Sequence, residues 1–181
     1  MTTMHLTITS AARDMGLDAS LASLLRDDMR ERRAVETLLA QGDVPAALRL
    51  GLRLMPRGYV VPWLCQCARA EDLDDEAREG LRFAEAWLRD PSEARRREAL
   101  AFAARHHYVG VGALIAASAG WSEGFLLDAD GNDVAPVATQ LMAVVAAAAL
   151  LTLASPSPDF DARCRAFVSA AMGLLPPEDF V

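Results

Sequence analysis

Residues Val134 to Pro158 contain no charged side chain, a run of 25 positions in a chain of 181 residues of which 24% are charged. A run of that length either crosses a bilayer or lies inside a folded domain, since about 20 apolar residues span the hydrocarbon core. Its make-up favours the interior. Alanine dominates, Thr139, Gln140 and Thr152 interrupt it, and no arginine stands close to either end, whereas membrane helices are leucine-rich with basic flanks. A buried helix over 137–154 is therefore expected. The rest of the core follows the same logic. Hydrophobic residues make up 52% of the chain but aromatics only 6%, so Ala, Leu and Val must fill the interior, which suits closely packed helices better than sheet.

Start and stop signals divide the remainder into further helices. Leu17 to Met29 and Ala34 to Gln41 read as helical, and Gly42-Asp43 ends the second while Asp43 caps a helix over Val44 to Leu54 that Pro56 closes. VVPWLCQCAR follows, with Val60, Leu64 and Cys67 on one apolar face and Pro62 placed in a first turn. The acidic EDLDDE then precedes a stripe of Ala77, Leu81, Ala84 and Leu88, widened by Gly80 and Trp87. Asp90, Pro91 and Glu93 make a capping-box-like start for Ser92 to His107. A small-residue segment, YVGVGALIAASAGW, comes next, and a last amphipathic helix runs from Phe160 to Leu175 before Pro176-Pro177. The expected fold is all-α: a compact bundle of about eight helices built from helical hairpins, with no significant sheet. We expect one helical domain over 1–181, with a ragged segment over 1–16, a long loop over 122–136 and a short linker over 155–159. LLAQGDVPAALRLGLRLMP resembles half of a tetratricopeptide unit, but no third copy exists, and generic hairpin geometry accounts for it.

Charge narrows the function. All 18 basic residues are arginine, as a GC-rich genome encodes, against 25 acidic ones, for a net charge of -7. An acidic surface repels phosphate, so no nucleic-acid partner is expected. The arginine clusters RDDMRERR and EARRREA alternate with carboxylates at i,i+4 spacing and read as solvated helix faces. The first residues lack the charged and apolar regions of an export signal, and three cysteines fit a reducing compartment, so a cytoplasmic setting is expected.

No catalytic or metal constellation emerges. Cys65 and Cys67 stand two apart on a helix, which turns their side chains about 200° from each other, so they read as core residues. His106 lies on the stripe of Ala99, Phe102 and Ala103, and neither it nor His107 is paired with a nucleophile or an HExxH glutamate. In LLDADGNDVAP, counting Asp128 as the first position, the glycine comes fourth rather than sixth, and Thr139 stands twelfth where an EF-hand needs glutamate. Asp128 and the residues after it serve a turn. We therefore expect no enzyme activity, no cofactor and no metal.

Three segments, MPRGYVVPWLCQCAR, AEAWLRDPSEARRREALAFAA and GWSEGFLLDADGNDVAP, together resemble an uncharacterised family of small all-helical proteobacterial proteins, a domain of unknown function, over about residues 50 to 155. The resemblance implies no established activity. Some members sit near type VI secretion genes, which implies an accessory, adaptor or chaperone role toward a secretion component or effector. Candidate interaction or pocket residues are Trp63, Arg69, Trp87, Trp121, Asp128 and Asp130. Two readings are carried forward: a protein-interaction module, and a small-molecule-binding regulatory domain with an apolar pocket among the three tryptophans and Arg69 as its anion anchor. A homodimer is left open.

Overall fold

The computed structural model describes residues 6–155 and 157–176. Its helices are α1 (Ile8–Asp14), α2 (Ala19–Ala22), α3 (Glu31–Ala40), α4 (Val44–Leu54), α5 (Arg57–Arg69), α6 (Asp75–Arg89), α7 (Glu93–Arg105), α8 (Val111–Gly120), α9 (Leu141–Ala154) and α10 (Phe160–Met172). Between α8 and α9 lie two short antiparallel strands, β1 (Phe125–Leu127) and β2 (Asp133–Pro136). The fold is all-α, as expected. The chain divides into two compact units, Met1–Pro56 with Asp159–Val181, and Arg57–Pro158.

In the first unit the Gly42-Asp43 stop works as the sequence indicates. Gly42 takes φ +83°, a conformation open to glycine, and the Asp43 carboxylate accepts the Ala46 N–H at 2.9 Å to start α4. The resulting α3–α4 hairpin packs against α10, where Gly51 lies opposite Val35 and Ala171. Two expectations for this unit fail. The segment over 1–16 contains α1, held by a Thr7–Ser10 capping box. The helix read over Leu17–Met29 is only the four residues of α2, because Thr9 N–H and its hydroxyl both donate to Asp27 Oδ1 at 2.8 Å and hold the chain in turns. The expected stop at Pro177 lies outside the described residues.

The second unit is organised around α8. Eight of its ten positions are buried, and Val111 and Leu114 are half-buried, which only a helix of small residues permits. Where α8 crosses α6, a Cβ on Gly80 would stand 2.1 Å from the Gly112 carbonyl oxygen, so both glycines are needed for the approach. The charge-free segment supplies α9, buried from Met142 to Ala154 on most faces and packed on α8 and α5. Among the described residues no helix is long and apolar enough to cross a membrane.

Three local readings are corrected here. Pro62 lies inside α5 rather than in its first turn, since the helix begins at Arg57; Pro62 is exposed, so the lost hydrogen bond falls on the outer side. Cys65 is the buried thiol and Cys67 only half-buried, because Val61, Leu64, Cys65 and Ala68 form the stripe that faces inward. Ser92, not Asp90, caps α7: its hydroxyl accepts the Arg95 N–H at 3.5 Å, while Asp90 closes α6.

Candidate functional site

The expected loop over 122–136 is a β-hairpin, and three arginines of the second unit fasten it. Phe125 pairs with Pro136 and Leu126 with Ala135, then the register slips so that Leu127 meets Asp133 and Val134 is left as a bulge. The turn is built by Asp128, whose Oδ1 accepts the N–H groups of Asp130 at 2.9 Å and Asn132 at 2.8 Å, with Gly131 at φ +83°. Those bonds, the one from Asn132 first, hold the Asp128 carboxyl below its ordinary range.

Arg96 is the central brace. The EARRREA pattern predicts a solvated face, yet Arg96 is 1% exposed. Its Nη1 donates to the carbonyls of Gly120, at 2.8 Å, and Phe125, at 3.3 Å, while Nε and Nη2 form a bidentate pair with Glu93 at 2.6 Å each. The guanidinium fills the space beside Gly124, where a Cβ would come within 2.8 Å of Arg96 Cζ. Arg97 takes Glu93 Oε1 at 2.6 Å, then donates to the Gly131 carbonyl at 2.8 Å and Asp133 Oδ1 at 2.7 Å. Hydrogen bonds from Arg96 and then Arg97 pull the Glu93 carboxyl down to about 2. From α5, Arg57 donates to the carbonyls of Ser122 and Thr139, the two flanks of the hairpin. Sequence reasoning missed all three arginines. A signal was present for one: Arg96 shares the i, i+3, i+4, i+7 stripe of Ala99, Leu100 and Ala103.

The residues singled out from the sequence do not converge. Trp63 is buried in α5. Arg69 pairs with Glu85 of α6 at 2.6 Å. Trp121 ends α8 and stacks on Tyr108, ring centroids 5.0 Å apart and planes 14° apart. Trp87 lines a cavity, about 240 Å³ in volume, with Arg57, Val61, Pro62, Leu88 and Met142; its indole N–H is buried and has no acceptor among the described residues. Asp128 and Asp130 lie in the hairpin turn.

Reactive chemistry is poorly served by the other candidates. Burial pushes the thiols of Cys65 and Cys67 up to about 12, where the nucleophilic thiolate is scarce. His106 closes α7, packs at a tilt against Phe102 with centroids 4.5 Å apart, and holds Nδ1 3.6 Å from Glu76 Oε2. Among the described residues no group of three or more His, Cys, Asp or Glu side chains could hold a metal ion.

A model described as a family of unknown function matches residues 34–175 of the chain. No curated protein and no solved structure matches it.

Proposed function

The chain belongs to the family of unknown function DUF6931, a membership that assigns no activity, and we propose from its geometry that it is a non-enzymatic protein-interaction module whose contact element is the β1–β2 hairpin. One observation carries this reading. A hairpin of seven strand residues is too small to be stable alone, yet Arg57, Arg96 and Arg97 hold its flanks, base and turn, while Phe125 and Val134 stand 44% and 66% exposed. Apolar side chains held outward on a rigid base suit a protein surface, where aromatic and aliphatic anchors gain most from burial. The partner we propose is a secretion component or effector in a bacterial cytoplasm, which the chain serves as adaptor, chaperone or accessory protein; the secretion setting that the sequence resemblance implies supports that choice.

The test is affinity capture from the native cell with the wild-type chain and with Phe125→Asp/Val134→Asp, both checked for the same helical circular dichroism. The wild type retains a stoichiometric protein and the double variant loses it. Equal retention by both, or no partner with either, overturns the reading.

A second reading, a small-molecule-binding regulatory domain, is favoured by the cavity beside Trp87 and its unsatisfied indole donor. A buried donor without an acceptor costs about 1–3 kcal/mol, and a ligand carbonyl or hydroxyl would recover it. Native mass spectrometry of gently purified protein then shows a retained small mass that disappears in Trp87→Phe. A mass equal to the bare polypeptide removes this reading.

A further inference from the structure

We propose that the groove between α6 and α7 is the contact face of a homodimer, in which α6 pairs antiparallel with α6 of a second copy across a two-fold axis. The groove encloses about 310 Å³, with Phe83 and Ala86 as its apolar floor and Glu79, Arg82, Arg89 and Arg95 along its rim. The other arginines of the second unit are engaged: Arg57, Arg69, Arg78, Arg95, Arg96 and Arg97 hold carbonyls or carboxylates, and Arg105 lies over the Phe102 ring. Arg82 and Arg89 have no acceptor among the described residues, and Glu79 has no donor there either.

The order of these charges selects the occupant. Along the exposed face of α6 the acids come first, Asp75 and Glu79, and the free bases last, Arg82 and Arg89. Asp72, just before the helix, and Asp75 are fully exposed, at 101% and 105%, and touch only Arg78 at 3.5 and 3.2 Å. Running a second α6 in the opposite direction sets Glu79 of each copy against Arg82 of the other. It also brings Arg89 of each copy to the Asp72–Asp75 end of the other. Glu79, Arg82 and Arg89 of each copy then each face an opposite charge, the self-complementarity that a two-fold interface requires. A partner bearing only acids would leave Glu79 repelled. Because exposed ion pairs are screened by salt, the dimer is weak and salt-sensitive.

The proposal is tested by light scattering on the full chain, up to millimolar concentration, at low and high salt. The mass rises from 19.5 kDa toward twice that value at low salt and falls back at high salt. Arg82→Glu/Arg89→Glu is monomeric, and so is Asp72→Arg/Glu79→Arg, each with wild-type helicity. An equimolar mixture of the two restores the dimer, since every reversed pair is again opposite in sign. A wild type that stays monomeric, a dimer indifferent to the arginine reversals, or a mixture that fails to associate overturns the proposal. The face is separate from the hairpin: Phe125→Asp/Val134→Asp leaves the dimer mass unchanged, so failure of the interaction reading and failure of this one give different results.

Discussion

Arg96 does work that no other cation in the chain could take over. Its planar fork satisfies Glu93 on one side and two carbonyls on the other, and a lysine ammonium cannot reach all of them. Arg96→Lys and Arg96→Met should therefore both destabilise the protein, by about 2–4 kcal/mol, because buried carbonyls lose their donor; urea denaturation measures the loss. Glu93 provides a pH signature for the same bond. Its carboxyl is depressed from 4.5 in the unfolded chain to about 2, so its contribution is complete above about 4.5 and is lost as pH falls toward about 2. Comparing urea midpoints at neutral and acid pH, the wild type loses more stability than Glu93→Gln across that window. An equal loss in both would show that the pair is not linked to folding.

At the scale of elements, the two glycine positions on α6 and α5 should behave in opposite ways. Gly80→Ala places a methyl group in the α8 backbone, and overpacking of that kind costs about 3 kcal/mol or more. Gly58, an exposed residue of α5, has nothing within 4 Å of an added Cβ, so Gly58→Ala should be neutral or stabilise by about 0.5 kcal/mol. Thermal melts of the two variants, one lowered and one unchanged or raised, check the pair. The same elements show what sequence patterns can convey. The α4 boundaries and the α6 stripe were legible because a strong stop, a capping aspartate and a 3.6-residue period all agree there. The hairpin was not, since strands of three and four residues are too short for alternation to be seen and its stability comes from arginines on distant helices. Arg96 was hidden by its own type: a charged residue on an apolar stripe reads as a surface residue until its partners are known. The pocket could not be placed from the sequence for a related reason, because nothing in the spacing of three tryptophans says which helices face one another.

On the scale of the whole molecule, the second unit is one continuous segment, whereas the first is assembled from both sides of it. A fragment over Arg57–Pro158 retains the contacts of α5 through α9 with one another and should be helical and unfold cooperatively. A fragment over residues 1–56 lacks α10, whose Cys164, Val168 and Ala171 are buried, and should not. Circular dichroism and denaturant titration of the two fragments distinguish them; a cooperative transition in the shorter one would contradict the dependence on α10.

That interrupted unit also sets a timetable for synthesis. The α3–α4 hairpin leaves the ribosome long before α10 does, and at 5–20 residues per second the interval is on the order of 10 s. Throughout it, the apolar side of α4 waits for a helix that has not yet been made, while everything between has time to fold. The nascent chain is then most prone to aggregate or recruit a chaperone at the α3–α4 hairpin, and a ribosome stalled before α10 would hold it in that vulnerable state.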